Sequence, residues 1–358
     1  MVLTNDVNLA LVKDWLTSYG GSEEQLWQIH QMYPNAPIYT SVYDKKRLPQ
    51  FARAKIHTMN LPSFMAKGRR FEKLAWLLPH YFSRLDLSNF DVVISVTSGF
   101  AKGVHTSKKC QHLSICNTPI RFAWNLGGDR RGFLGRLTSP YFRWYDVQSS
   151  KGVDVFYANS KNVQRRIEQI YDRSSEVLYP PVKVEEFTKI KRVKNPVGYI
   201  TIGRLVPYKR VDIIIKACNK LKVPLTVIGT GPEEKTLKQL AGPQVCFLGF
   251  ADEKIIKQEL AKAKAFIFAA EEDFGIAPVE AMAAGCPVIA LGKGGAKETV
   301  IDGKTGLWFK KQNVDSLRKI LSAEWPSFDT TVLRKQADKF SVKHFRSKVK
   351  QAIDRALI

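Results

Sequence analysis

The sequence predicts an α/β protein built from two Rossmann-like, doubly wound domains. Short apolar runs alternate with helical patterns along the whole chain, the rhythm of βαβ units in a parallel sheet. Several of those runs end in glycine-containing turns that lead into a helix, as after Val12, Ile202 and Ile228. The pattern stops at Tyr179-Pro180-Pro181 and restarts at Val197, which divides 358 residues into two parts of ordinary domain size. No period of 20–50 residues repeats.

In the first part, residues 7–12 are the first buried strand. It runs into Gly20-Gly21-Ser22 and a helix to Gln31. Glycines there let backbone N–H groups approach an anion, or simply make a turn, and Ser22 can cap the helix. Residues 38–42, 55–58 and 91–95 follow as strands, with a helix over 71–78. Residues 113–116 form a strand that ends in the polar turn of Asn117 and Thr118. Residues 153–158 are a further strand, with Asn159 or Ser160 capping the helix over 163–170. Pro180-Pro181 stops regular structure. The first domain is therefore 1–180, and the charged stretch 181–194 is a linker.

The second domain, 195–338, opens with a strand over 197–202 followed by Gly203-Arg204-Leu205-Val206-Pro207-Tyr208-Lys209. Arg204 and Lys209 fall at the carboxyl end of that strand, where open α/β sheets place ligands. Two cations five residues apart can clamp a diphosphate, or be a plain surface pair. Residues 225–228 lead into Gly229-Thr230-Gly231, and 245–249 into Phe250. The chain ends with Phe340, Phe345, Val349, Ile353 and Leu357 at helical spacing.

The stretch 265–285 carries the most chemistry. The apolar run 265–269 is a buried strand ending in Glu271, Glu272 and Asp273. Pro278 suits the first helical position and Gly285 the residue past the last turn. Glu272 and Glu280, eight apart, cannot share one face of a helix. One belongs on the loop and one on the first turn, both facing a ligand over the helix N-terminus. That terminus, near Gly275 and Ile276, favours a phosphate. Carboxylates beside it suit hydroxyl groups. A nucleotide sugar satisfies both, whereas an acidic surface loop is the plainer alternative.

This stretch, with Pro287-Val-Ile-Ala290, Gly294-Gly295, Glu298-Thr-Val300 and Asp302-Gly-Lys-Thr-Gly306, resembles the Glu-x7-Glu region of retaining glycosyltransferases of the GT-B-fold family four. Gly203-Arg204 with Lys209, and the Gly20–Gly21 loop, resemble further elements of the same family, so the resemblance covers nearly the whole chain. It implies a GT-B fold, with two domains facing across a cleft and a last helix, 339–358, returning to the first. The second domain would bind a nucleotide-diphosphate sugar and the first the acceptor. Arg204, Lys209 and the N–H groups of Gly275 and Ile276 would hold the diphosphate, with Gly203, Gly229 and Phe274 shaping the donor site. Glu280 would hold the ribose, Glu272 the sugar, and the loop around Phe250 would meet the base. The Gly20–Gly21 loop and Asn117 would close on the sugar. The family commonly has His where Asn117 stands. An Asn exchanges hydrogen bonds but carries no proton, so positioning is what the resemblance implies there. It also implies front-face attack, with a donor phosphate oxygen taking the acceptor's proton.

The run 271–280 looks most like bacterial mannosyltransferases that use GDP-mannose, which often build polysaccharide on lipid-linked acceptors at the cytoplasmic membrane face. Mannose is therefore the favoured hexose, and a glycan or lipid-linked molecule the expected acceptor. No cofactor and no metal are expected, since no His/Cys/Asp cluster has ligand spacing.

Composition sets outer limits. Hydrophobic content of 44% and charged content of 25% are globular values. No run of 18 apolar residues suggests a membrane span, and residues 1–6 show no signal-peptide pattern. The five cysteines lack metal spacing and read as thiols of a reducing cytosol. The net charge of +23 points to an anionic partner. Basic residues mix with aromatics at Lys67, Arg69, Arg70 and Trp76, and again at Arg130, Arg131 and Arg136 with Tyr141 and Trp144. Such patches suit peripheral contact with an anionic membrane, or single-stranded nucleic acid, or a solvated face. The expectation is a cytoplasmic enzyme with peripheral contact at the inner membrane face and no nucleic acid. The rivals are a sugar-nucleotide epimerase of similar build, a glycoside hydrolase and a basic nucleic-acid-binding protein. A hydrolase needs two carboxylates but not Arg204 and Lys209.

Overall fold

The computed structural model describes residues 7–59, 75–126 and 133–358. It divides into two units, one of Met1–Pro181 with Phe345–Ile358, the other of Val182–His344. The basic positions Lys67, Arg69, Arg70, Arg130 and Arg131 lie outside the described residues.

Each unit is built on an all-parallel sheet. In the first, the strands are β1 (Leu9–Lys13), β2 (Ile38–Thr40), β3 (Ile56–Thr58), β4 (Val92–Thr97), β5 (Gln111–Cys116), β6 (Val155–Ala158) and β7 (Glu176–Val177), in the order β3-β2-β1-β4-β5-β6-β7. In the second they are β8 (Tyr199–Ile202), β9 (Leu225–Ile228), β10 (Val245–Gly249), β11 (Ala265–Phe268), β12 (Val288–Leu291) and β13 (Gly306–Phe309), in the order β10-β9-β8-β11-β12-β13. Strands such as β4, β11 and β12 are buried along their whole length, as apolar runs covered on both faces must be. The two doubly wound units anticipated from the alternating pattern are present.

The C-terminal helix Val342–Ala356 belongs with the first sheet. Its Phe345, Val349 and Ile353 pack into the cluster of Leu9, Leu11, Val92 and Ile94. Burying three such side chains contributes about 1.5–3 kcal/mol each. Arg346 Nε donates to Gln28 Oε1 at 2.8 Å, and Arg355 pairs with Glu176 at 2.9 Å.

Two expectations need correction. Residues 182–194 are no free linker. They hold the helix Val184–Thr188, whose Val184 and Phe187 are buried, and they join the second unit. Glu185 and Glu186 within that short helix, and Lys183 and Lys189 at its two ends, hid its apolar face. The helix after β11 runs from Ile276 to Ala283, so Pro278 is its third residue rather than its first. The first-turn N–H groups have no intrahelical acceptor, so a proline is tolerated anywhere in that turn. Its other end is as anticipated. Gly285 takes a left-handed φ of +78°, Gly285 N–H donates to Met282 O at 2.9 Å, and Cys286 N–H to Ala281 O at 2.8 Å.

Candidate active site

Both sheets reverse strand order at one point, between β1 and β4 in the first and between β8 and β11 in the second. Loops at the carboxyl ends of the strands flanking such a reversal are where open α/β sheets bind ligands. The two units use theirs differently.

In the first unit the crevice is filled from within. Asp14, directly after β1, is 1% exposed. Its carboxylate accepts from Ser98 N and Phe100 N, each at 2.7 Å, from Ala101 N at 2.8 Å and from Thr97 Oγ1 at 3.0 Å. The amides that could have held a phosphate thus already hold a carboxylate. Gly20 and Gly21 sit at the start of the helix Gly21–Met32, with Glu23 and Glu24 in its first turn. Buried Lys13 lies 3.4 Å from Glu23 and donates to Ser22 Oγ at 3.0 Å. The anion-cradling geometry expected of Gly20–Gly21 is offset by these acids. Asn117 is brought to the end of β5, and Asn159 to the end of β6 beside it.

In the second unit the crevice is open. Gly203 follows β8 and Gly229 follows β9, and the two turns touch backbone to backbone. A Cβ on Gly229 would fall 1.9 Å from Gly203 O, so no larger residue fits there. The single turn Pro207–Lys209 then brings Lys209 back over Gly203. Its ammonium forms an ion pair with Glu272 and lies 5.6 Å from the Phe268 ring centroid. A shallow depression open to solvent runs along Gly203, Arg204, Lys209, Phe268 and Ala269. Arg204 is exposed, and among the described residues it has no ion-pair or hydrogen-bond partner, so its guanidinium is available to a ligand.

Glu272 is held in place by its backbone. Its carbonyl accepts from Gly295 N at 2.8 Å, and a Cβ on Gly294 would come within 2.3 Å of that oxygen. Phe274 is buried against Phe340, with centroids 5.3 Å apart. Gly275, at φ +87°, is the N-cap of the helix Ile276–Ala283, and no side chain caps it. Its first-turn N–H groups and positive dipole end therefore remain open to an anion.

Glu280, in the second turn, is half-buried. Burial first, then the carboxylates of Glu253 and Glu186, push its carboxyl up to about 7, against the opposing pull of Lys183. Glu186 and Glu253 share a hydrogen bond that raises the pKa of Glu186 and lowers that of Glu253. Lys257 lies against both, 3.8 Å from Glu186. Sequence reasoning missed this group, because Glu186 stood in the presumed linker and only the fold sets it beside Glu280. Phe250, at the end of β10, is 86% exposed. Among the described residues no three His, Cys, Asp or Glu side chains gather in a way that could hold a metal ion.

The Glu280 shift has a consequence for stability. Between its ordinary value of 4.5 and about 7 the folded chain keeps a proton that the unfolded chain has released, so stability falls as pH rises through that window. Glu280→Gln is expected to leave Tm unchanged at pH 4 and to raise it at pH 8. The gain is at most about 3 kcal/mol, less for the part of the carboxyl that water reaches. Thermal unfolding of both proteins at the two pH values measures it.

Residues 182–323 match the family described as Glycosyl transferases group 1. The chain is 34% identical over 140 residues to a GDP-mannose-dependent alpha-(1-6)-phosphatidylinositol monomannoside mannosyltransferase of Mycolicibacterium smegmatis. That alignment covers 33% of this chain and 36% of the relative, so the chain spans about a third of the relative's length. It is 28% identical over 331 residues to an uncharacterised glycosyltransferase of Methanocaldococcus jannaschii, covering 83% of this chain and 81% of that one. The crystal structure of Anabaena HepE in complex with UDP superposes with a TM-score of 0.74 at 19% identity, over 97% of this chain and 100% of that one. Residues 182–323 therefore match the group 1 glycosyltransferase sequence pattern, both units have the GT-B fold of the solved structure, and the likeness to a mannosyltransferase extends over about a third of the chain.

Proposed function

We propose that the protein transfers a hexose, with retention at the anomeric carbon, from a nucleotide-diphosphate sugar to a glycan or lipid-linked acceptor. Mannose from GDP-mannose is the favoured donor. The reading rests on one observation above all: the Lys209 ammonium and the Glu272 carboxylate meet at the open strand reversal of the second unit. The uncapped helix at Gly275 follows Glu272 three residues on. Cation, anion-binding amides and hydroxyl acceptor are what a diphosphate joined to a sugar requires.

In this reading the diphosphate lies on the N–H groups of Gly275 and Ile276, with Arg204 and Lys209 around it. Glu272 takes hydroxyls of the sugar and Glu280 those of the ribose. The bond from C1 to the diphosphate oxygen breaks, and negative charge grows on the leaving group. Fixed cations and amides stabilise that charge without reorganising. The acceptor oxygen joins C1 on the same face, and its proton passes to the departing phosphate oxygen. Asn117 orients a substrate hydroxyl.

GDP-mannose is favoured because the mycobacterial relative is named for it. A thermal-shift screen with GDP, UDP and ADP sugars tests the reading, since a ligand that binds only the folded state raises Tm. A rise of several degrees with GDP-mannose alone is expected. No rise with any of them would exclude the donor site.

We also propose peripheral contact with an anionic membrane. In the first unit Trp76 and Trp144 are each 60% exposed, and Tyr141 stacks beside Trp144 at 6.4 Å. No helix among the described residues is long and apolar enough to cross a membrane. Replacing Arg69, Arg70, Arg130 and Arg131 with Ala is expected to weaken co-sedimentation with anionic vesicles, about 1 kcal/mol per charge. Unchanged binding would remove these stretches as the contact.

A further inference from the structure

β5 and β6 end side by side, with Cys116 opposite Ala158. The next residue on each is an asparagine. Both are fixed by their main chains, Asn117 N–H donating to Thr97 O at 2.8 Å and Asn159 N–H to Cys116 O at 3.3 Å. Their side chains, 8% and 7% exposed, share one hydrogen bond, in which Asn159 Nδ2 donates to Asn117 Oδ1 at 3.1 Å. Asn117 Nδ2 and Asn159 Oδ1 are then left buried with no partner among the described residues. Turning both amides over exchanges the ends and leaves the same remainder, one donor and one acceptor. Neither neighbouring hydroxyl bonds these two amide atoms. Ser160 Oγ accepts from Val163 N at 3.1 Å, and Thr118 Oγ1 accepts from Arg166 Nη1 at 3.2 Å.

Buried amide groups left unpaired are costly, and this pair stands at the carboxyl edge of a parallel sheet, where ligands bind. The remainder has a definite chemical complement. Phosphate and carboxylate oxygens only accept, and an ammonium only donates. A hydroxyl does both from one atom. We propose that Asn159 and Asn117 together bind one hydroxyl of the sugar substrate, which makes Asn159 a specificity-determining residue. The inference rests on the glycosyl-transfer reading and deepens it. A deoxy sugar, or an epimer that swings this hydroxyl away, leaves both amide groups unpaired and is rejected.

The hydroxyl can belong to the donor sugar or to the acceptor, and two arms separate these. In the donor arm the full chain turns over its preferred sugar nucleotide among GDP-mannose, UDP-glucose and ADP-glucose, and then the monodeoxy analogues of that donor. In the acceptor arm the donor is held constant and methyl mannoside is compared with its monodeoxy forms. In one arm, wild-type kcat/KM is expected to fall about tenfold or more at a single deoxy position. Asn159→Ala should fall by a similar factor on the parent sugar and be indifferent to that same position. Asn159→Asp keeps the shape and an acceptor oxygen but loses the Nδ2 donor to Asn117, so its Tm reports the structural share of the amide pair while part of the selectivity should remain. Equal losses on every analogue, or a lower Tm with unchanged selectivity, would show a purely structural amide pair and overturn the proposal. So would a wild type indifferent to every deoxy position. A wild type that turns over no sugar nucleotide defeats the proposed function itself, and this inference with it.

Discussion

Lys209→Ala is expected to lower kcat/KM by about 10²–10³ while leaving the fold intact. The magnitude is that of removing one preorganised donor from a developing anion. Lys209 sits on a short turn braced by Pro207 and by the close backbone contact of Gly203 with Gly229, so its ammonium is positioned before the substrate arrives. Stability should change by less than about 1 kcal/mol. Both members of the Lys209–Glu272 pair keep solvent contact, 17% and 18% for their side chains, and water screens such pairs. Lys209→Arg keeps the charge but replaces a point donor with a planar fork, so partial activity is expected. Steady-state kinetics with the donor found in the thermal-shift screen, alongside Tm, provide the check. Near-normal transfer by Lys209→Ala would remove this lysine from the site.

Glu272→Ala should cut transfer by about 100-fold, the worth of a charge-assisted hydrogen bond to a sugar hydroxyl, at about 1.5–3 kcal/mol. Its second signature is sharper. In the free protein the carboxylate holds the Lys209 ammonium, and a diphosphate must compete for that cation. Removing Glu272 frees Lys209. The bare nucleoside diphosphate should therefore bind the variant as tightly as wild type or more so, while the sugar nucleotide loses its advantage over it. Calorimetry with the diphosphate and with the intact donor separates the two contributions. Equal weakening of both ligands would mean that Glu272 shapes the crevice and does not touch the sugar.

Much of the fold was legible along the chain because its cause is local. Buried parallel strands such as Ala265–Phe268 and Val288–Leu291 are continuous apolar runs, and they appear as such. Gly285 ended its helix where expected because a left-handed residue is needed there. The short helix Val184–Thr188 was not legible. It is held by packing of Val184 and Phe187 against distant elements, and its charges pointed to a linker. Pro278 misled by two positions because the whole first turn tolerates proline.

The candidate site divides in the same way. Residue types and their order pointed to Arg204, Lys209, Glu272 and Glu280, since strand ends, glycine turns and helix starts are marked by local chemistry. Those marks also placed both asparagines at strand ends. What they could not supply was partnership. Only the tertiary structure set Lys209 against Glu272, filled the first unit's crevice with Asp14, and left one donor and one acceptor unpaired between Asn117 and Asn159. It also buried the Glu280 carboxyl and brought Glu253 and Glu186 near it, which together hold a proton there up to about pH 7. Backbone conformation depends on neighbours along the chain, and so it can be read from them. Charge, proton affinity and hydrogen-bond satisfaction depend on distances through space, which exist only once the chain has folded.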